Sequence, residues 1–281
     1  MITTNYHTHC SFCDGRWEPE VYAEKAISLG MKALGFSSHA PIPQENDWTM
    51  KPGRIDEYVR RIRTVQECYA DDIEIYCGLE VDYIPGVMGP KSPEIEKAGL
   101  DYTIGSVHLI YDTEKSWYFA VDSTEEEYRH IHDEIFAGDI RAMVREYYRR
   151  VGAMAREQHP SIVGHLDLIK KNNRNAAYFD ESEPWYRDAV CGALEEIARS
   201  GSRVEVNTGA LARKTLDTVY PSSWILKECR VRGIPIVLNS DAHDPDLLTY
   251  YFEEAGSILL ACGYSEIQAL IGGSFKDFPI I

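Results

Sequence analysis

Short apolar segments alternate with amphipathic stretches along most of the chain. The apolar segments predict strands: an opening one that runs into His7 and His9, then 33–39, 74–80, 102–107, 161–165, 203–207 and 234–239. Apolar residues spaced three and four apart predict helices between them, as in the stretch from Ile55 to Val65. Glycines such as Gly30 and Gly201 mark helix ends.

Seven strand–helix alternations without a hairpin signal predict a parallel α/β fold, and barrel-like closure suits them better than an open nucleotide-binding sheet. No glycine-rich phosphate loop follows the first strand, which argues against a dinucleotide or Walker-type site. Residues 109–138 show little periodicity and are predicted to be an insertion, either a loop over the active site or a surface excursion. Because no linker is visible, we expect one domain over residues 1–281.

Composition narrows the class of protein. A chain of 281 residues with 44% hydrophobic content can bury a large core. The start lacks a signal-peptide pattern and no apolar run reaches about 18 residues, so we expect a cytoplasmic protein without a membrane partner. Its 7 scattered cysteines predict reduced, buried thiols. The net charge of −16 argues against a broad nucleic-acid surface, although metal ions could still attract a small anion. Whether the chain forms a homo-oligomer is left open.

Polar side chains stand where the predicted strands end. His7 and His9 point to the same side of the opening strand, because side chains alternate with a period of two, and can act as a chelate pair. Later strand ends carry His39, Glu80, His108, His165, Asn207, Asp241 and His243. In a barrel these ends converge on one face. The set therefore predicts a site for several metal ions.

The ligand types limit the choice of metal. Imidazoles with carboxylates suit Zn²⁺, Mn²⁺ or Fe²⁺, and Glu80 can bridge two ions. A His–Cys zinc site using Cys10 and Cys13 is a weaker alternative, because two thiolates would compete with an already full set of nitrogen and oxygen ligands. The remaining histidines are predicted to be solvated, and they are His130, His132 and His159.

Seven motifs follow one another in order between positions 7 and 243: HTHCSFCDG, GFSSHAP, GLEVDY, GSVH, GHLD, EVNTGALAR and NSDAH. The chain thereby resembles the polymerase-and-histidinol-phosphatase (PHP) family, and over its whole length the histidinol-phosphate phosphatase branch. The resemblance implies a distorted (β/α)7 TIM-like barrel that holds up to three metal ions. It agrees with the strand count.

The resemblance also implies a division of the ligands. A first ion would take His7, His9, Glu80 and Asp241; a second would share Glu80 with His108 and His165; a third would take Asp14, His39 and His243. Some family members have a histidine near the position of Asp14, so an oxygen ligand there would change the affinity or metal preference of the third site. Asp167 is expected to orient a ligand rather than to bind metal.

The implied activity is metal-dependent hydrolysis of L-histidinol phosphate, a step of histidine biosynthesis, with two or three divalent ions and in-line attack by a metal-bound hydroxide. Arg213 is expected to clamp the phosphate. Asp241 or His243 could protonate the leaving group, or a metal ion could stabilise the leaving alkoxide without a general acid. Further expected substrate contacts are Asn207 and, through aromatic packing, Trp117 and Tyr118. Alternatives are a PHP-type enzyme for another phosphate ester, nucleotide or phosphoprotein, and an inactive metal-binding partner domain.

Overall fold

Seven parallel strands form the centre of the molecule in this computed structural model, which describes residues 2–280. They pair in the order β1-β2-β3-β4-β7-β8-β9. Their bounds are β1 (Thr4–Asn5), β2 (Ala33–Phe36), β3 (Glu74–Asp82), β4 (Tyr102–Ser106), β7 (Ile162–Val163), β8 (Arg203–Asn207) and β9 (Ile236–Asn239). All six ladders between neighbours are parallel, so the predicted parallel α/β class is confirmed.

The two ends of this sheet approach each other just beyond β1 and β9. Thr8 and Ala242 form an isolated parallel bridge there, and the His9 amide donates to the Ala242 carbonyl oxygen at 2.9 Å. The Ala242 amide in turn donates to the His7 carbonyl oxygen at 3.1 Å. The sheet is therefore a nearly closed, distorted barrel, as predicted, and the His7–His9 segment is part of its closure.

Helices surround the strands. Several begin with proline at the first helical position, where its missing N–H costs no hydrogen bond, as Pro19 and Pro184 do. Tyr58, Ile62 and Val65 form the buried face of the second helix. The bounds are α1 (Pro19–Ser28), α2 (Ile55–Cys68), α3 (Pro93–Lys97), α4 (Glu125–His130), α5 (Ile140–Gln158), α6 (Pro184–Ser200), α7 (Gly209–Ala212), α8 (Ser223–Val231) and α9 (Phe252–Ala261).

Tyr102 fills the barrel interior from β4. Its ring occupies the space in which a Cβ at Gly35 or Gly78 would lie, within 2.4 Å of either position. The Tyr102 hydroxyl lies within hydrogen-bonding distance of the carbonyl oxygens of Tyr6 and Phe36. Two neighbouring strands thus need glycine so that one large aromatic side chain can pack between them.

Two hairpins contradict the expectation that the chain lacks them. β5 (Leu109–Asp112) and β6 (Trp117–Ala120) pair antiparallel inside the predicted insertion. Their four-residue turn has none of the Asn-Gly or Asp-Gly character that marks a tight turn. β10 (Glu266–Ile271) and β11 (Ser274–Pro279) pair across Gly272 and Gly273. That Gly-Gly step, with φ of 59° and 75°, is a turn signal that the sequence reading missed.

The second hairpin covers the N-terminal ends of the barrel strands. The Gly272 amide donates to Glu74 at the start of β3, at 2.7 Å. The Arg203 guanidinium at the start of β8 lies 3.7 Å from the centre of the Phe275 ring. Leu270 packs in one apolar cluster with Tyr6 and other residues of the barrel interior. The carboxyl ends of the strands are left as the open face. Among residues 2–280, no helix is both long and apolar enough to cross a bilayer.

Candidate metal centre

Glu80, on β3, lies at the middle of the polar end of the barrel and is 1% exposed. One carboxylate oxygen, Oε2, lies 3.0 Å from His39 Nδ1 and 3.1 Å from His7 Nε2. The other, Oε1, lies 2.9 Å from His165 Nε2 and accepts a hydrogen bond from Ser106 Oγ. Burial acts to raise the pKa of Glu80, but His39 and His7 lower it well below its ordinary value. The carboxylate is thus kept ionised among imidazoles.

Asp241 joins a second group of donor atoms. Its Oδ1 lies 3.2 Å from His9 Nε2 and 3.7 Å from His7 Nε2. Its other oxygen, Oδ2, accepts a hydrogen bond from Arg213 Nη2 at 2.8 Å. Asp241 has a φ of 53°, a left-handed conformation that is rare for a residue other than glycine and typical of functional sites. One carboxylate oxygen thus faces the histidines and the other the arginine.

A third group lies nearer to solvent. Asp14 Oδ1 is 3.3 Å from His243 Nε2 and 3.9 Å from His9 Nδ1. The rings of His9 and His243 stack at 4.1 Å, and His39 lies beside them. The Asp14 and His243 side chains are 32% and 28% exposed. Burial, together with the neighbouring His243 and His39, lowers the pKa of His9 to about 3, so His9 is a neutral donor.

Nine predicted ligands lie at this one end of the barrel. Three groups bring donor atoms within 4.8 Å of one another: His9, Asp14, His39 and His243; His7, Glu80 and His165; and His7, His9 and Asp241. His108 belongs to none of these groups, but its Nε2 lies 3.6 Å from Glu80 Oε1. The grouping differs from the sequence-based division, which separated His9 from the third set and His7 from the second.

The donor set fits divalent metal ions. His9 Nε2 and His39 Nδ1 are buried and make no hydrogen bond with the described residues, although carboxylate oxygens lie 3.2 and 3.0 Å away. Buried polar atoms in proteins are normally hydrogen-bonded, so nitrogen atoms left in this way point to another partner. Imidazole and carboxylate donors with no thiolate are typical ligands of Zn²⁺, Mn²⁺ and Fe²⁺. No thiol occurs in the three groups within residues 2–280.

Two buried carboxylates that support the ligand histidines were missed by the sequence analysis. Glu205 Oε1 lies 2.6 Å from His7 Nδ1, and Glu205 Oε2 accepts the amide of His165 at 3.0 Å. Asp82 Oδ1 lies 3.0 Å from His108 Nδ1. Glu205 lies two residues before Asn207 and Asp82 two residues after Glu80, so the period of two along a strand could have revealed both.

These carboxylates set the charge of the histidines they contact. Burial opposes protonation of His7, but Glu205, Glu80 and Asp241 outweigh it and raise its pKa well above the usual value. Burial likewise opposes protonation of His108, and Asp82 then raises its pKa to about 10. A carboxylate behind an imidazole also fixes the tautomer and orientation of the ring that binds metal.

A cavity of about 650 Å³ opens above the cluster. Three of the four predicted substrate contacts line it: Arg213, Trp117 and Tyr118. The structure places the fourth, Asn207, outside the lining, with no exposed surface. Its amide nitrogen donates to Glu205 Oε2 at 2.9 Å, and its amide oxygen accepts the Gly209 N–H at 2.8 Å.

The expected role of Asp167 is wrong. Its Oδ2 is 2.7 Å from Lys170 Nζ and accepts the Ser222 amide at 2.9 Å, instead of contacting a ligand histidine.

The expectation that His130 is solvated is also wrong. His130 Nε2 lies 2.8 Å from Asp112 Oδ2, and the ring packs on Phe119. Its sequence neighbours gave no sign of either contact.

The other predicted non-ligands differ in their surroundings. His159 is exposed, as expected, whereas His132 is partly buried beside Asp133. Cys13 Sγ lies 3.5 Å from His9 Nδ1, and Cys10 Sγ lies 3.3 Å from Ser38 Oγ. Burial raises the pKa of Cys10 to about 11, so its thiol stays protonated near neutral pH.

Comparison with known proteins agrees with this geometry. Residues 5–209 match the model of the PHP domain. A Deinococcus radiodurans protein named as a probable histidinol-phosphatase is 31% identical over 252 residues, 89% of each chain. The histidinol-phosphatase of Bacillus subtilis is 28% identical over 262 residues, 88% of this chain and 96% of its own. These matches extend well beyond the metal-site motifs.

A solved structure shares the fold. The histidinol phosphate phosphatase of Lactococcus lactis, in complex with zinc, L-histidinol and phosphate, superimposes with a TM-score of 0.70 at 22% identity and covers 98% of both chains. The fold, the donor cluster and the sequence matches agree. The chain therefore belongs to the PHP domain family and, within it, to the histidinol-phosphatase branch.

Proposed function

We propose that this protein hydrolyses L-histidinol phosphate to L-histidinol and inorganic phosphate. The observation that carries the proposal is a cluster of nine candidate nitrogen and oxygen ligands, seven of which line a cavity that also holds an arginine. The B. subtilis relative named as a histidinol-phosphatase supports the choice of substrate. The activity would serve histidine biosynthesis, and we expect the protein to act in the cytoplasm.

Two or three divalent ions, Zn²⁺, Mn²⁺ or Fe²⁺, would be held by the three donor groups. Glu80 can serve two of them because its two oxygens face different histidines, His7 and His39 on one side and His165 on the other. Bound ions would lower the pKa of water and neutralise charge on the phosphoryl oxygens. Glu205 and Asp82 hold His7 and His108 in the orientation that ligation needs.

Arg213 is our candidate for holding the phosphoryl group. Two of its N–H groups bind Asp241, one to the carboxylate and one to the carbonyl oxygen, and this fixes the guanidinium at the cavity edge. The N–H groups that remain can donate to a phosphate oxygen. Gly209 makes room for this arrangement, since a Cβ there would lie 2.6 Å from Arg213 Nη2. A lysine would lack the planar fork that contacts both Asp241 and a phosphate.

His243 is our candidate for proton transfer to the leaving alcohol, because it lines the cavity. Asp241 also lines the cavity, but Arg213 and His7 outweigh the effect of burial and keep its pKa well below the ordinary value, so its ionised carboxylate has no proton to donate. His243 Nδ1 lies 3.0 Å from the Asp241 carbonyl oxygen, which orients the ring.

Asn207 is buried behind Asp241, and we propose that it holds the Asp241 carboxylate in place instead of contacting substrate. Its Nδ2 lies 3.4 Å from Asp241 Oδ2.

Phosphate release from three substrates tests the proposal. Purified protein would be assayed with histidinol phosphate, a nucleoside monophosphate and a phosphotyrosine peptide, each with added Mn²⁺ and with a chelator. We expect fast, chelator-sensitive turnover of histidinol phosphate alone. Equal, slow turnover of all three would instead indicate an enzyme for another phosphate ester. Hydrolysis that added metal does not stimulate and a chelator does not abolish would contradict a metal-dependent phosphatase.

A further inference from the structure

The loop between β2 and α2 forms one wall of the cavity. It is held in shape by Asn46, whose Oδ1 accepts the amides of Trp48 at 3.0 Å and Thr49 at 2.7 Å. Gln44 ties it to the hairpin of β5 and β6: its Nε2 donates to the Tyr118 carbonyl oxygen, and its Oε1 accepts the Tyr118 amide. The wall is therefore one connected unit, built from two segments that are distant in sequence.

Trp48 is the residue of this loop that reaches the metal ligands. Its ring meets that of His39 edge-on, with centres 4.8 Å apart and an interplanar angle of 89°. The ring centre of His108 is 5.7 Å away. Trp48 also lines the cavity beside the ligand cluster, so a group attached to a phosphorus atom at the cluster can pack against the indole.

Charge is unevenly distributed around the cavity. The basic residues that line it are Arg213 and Lys171, and Lys171 is paired with Asp122 at 3.1 Å. Glu45 and Asp47, which lie three residues and one residue before Trp48 in sequence, also line the cavity and are exposed. Neither forms an ion pair with any residue in the part of the chain that the structure describes. An anionic group is thus favoured near Arg213, and a cationic one near Trp48.

We propose that Trp48 determines specificity by packing against the imidazole of the leaving alcohol, while Glu45 and Asp47 attract the positive charge of that alcohol. This inference rests on the proposed function, which supplies a substrate with phosphate at one end and an amine and an imidazole at the other. Aromatic rings pack favourably on indole, and cations are attracted to the indole face. The charge distribution gives such a substrate one preferred orientation.

Steady-state kinetics of Trp48→Leu test this role, with inorganic phosphate as a competing ligand that fills only the phosphate end of the site. We expect KM for histidinol phosphate to rise about tenfold. The inhibition constant of inorganic phosphate should stay within about twofold, because phosphate lacks the imidazole that would pack on the indole. Trp185→Leu is the matched control, since it removes an indole outside the cavity lining, and it should change neither constant.

A second variant does not depend on the aromatic packing of the loop. Glu45→Gln combined with Asp47→Asn removes two exposed charges and should raise KM about threefold at low salt, with the difference shrinking at high salt. Equal changes in KM and in the phosphate inhibition constant for Trp48→Leu would overturn the inference. So would unchanged constants in both variants. Wild-type protein that hydrolyses another ester but not histidinol phosphate would overturn the proposed function first, and the inference with it.

Discussion

The two ends of the barrel are built in opposite ways from the same strands. At the carboxyl ends, buried charged and polar side chains crowd around Glu80. At the amino ends, the hairpin of β10 and β11 covers an apolar cluster that includes Tyr6 and Leu270. Tyr6 and His7 are adjacent in sequence, yet Tyr6 donates to the Leu270 carbonyl oxygen at one end and His7 contacts Glu80 at the other.

The difference separates stability from function. Burial of apolar surface stabilises the hairpin end at little electrostatic cost. Several imidazoles and carboxylates buried together at the other end lose hydration and keep unsatisfied nitrogens, which is unfavourable for the protein alone and typical of a site that binds a ligand. Substitutions at the polar end should therefore change activity, and substitutions at the apolar end should change the free energy of unfolding.

The largest expected effect is that of His108→Ala. Loss of this imidazole beside Glu80 should lower kcat by roughly three orders of magnitude, because the charge that develops on the phosphoryl group is no longer neutralised. The circular dichroism spectrum should be unchanged. His132→Ala, which removes a histidine remote from the cluster, is the matched control. A near-wild-type rate for His108→Ala would mean that a single metal ion is sufficient for catalysis.

A smaller effect is expected for Glu205→Gln. The glutamine keeps one acceptor oxygen, but its NH2 group cannot accept the N–H groups that the other Glu205 oxygen accepts, and it provides no charge behind the His7 ring, so metal affinity should fall about 10- to 100-fold. Metal content after dialysis, together with activity as a function of added metal, measures this. Glu94→Gln, at an exposed helix position, serves as control. Unchanged metal affinity would show that hydrogen bonding alone orients His7.

Asp14→Asn should have a weaker effect again. Asp14 belongs to the most exposed of the three donor groups, so its loss should lower the number of bound ions by one and kcat by about tenfold or less. Metal stoichiometry from elemental analysis is the measurement. A drop in kcat as large as that of His108→Ala would show that the exposed group matters as much as the buried ones.

Substitutions at the apolar end of the barrel should leave kcat unchanged. Leu270→Ala removes a buried side chain from the cluster around Tyr6 and should lower the free energy of unfolding by about 2 to 5 kcal/mol. Urea unfolding gives this value, and kcat measured well below the transition should match the wild type. An equal loss of kcat would contradict the separation between the two ends.

Local sequence pattern predicted much of the polar end. A strand has a fixed period, and parallel strands in a barrel share a direction, so the residues at their carboxyl ends could be named before any contact was known. His39, Glu80 and His165 were found in this way, and the structure brings their donor atoms together. The order of seven parallel strands followed from the alternation of strands and helices.

Tertiary structure decided the features that depend on contacts between distant segments. Trp48 lies in a loop without periodicity, and only the fold brings it against His39 and His108. Asn207 stands at a strand end like the ligands, but its side-chain amide is hydrogen-bonded to the Glu205 carboxylate and to the Gly209 N–H. The physical reason is that hydrophobic periodicity reports which face of an element is buried. The partner of a buried polar atom is instead set by how elements far apart in the chain pack together.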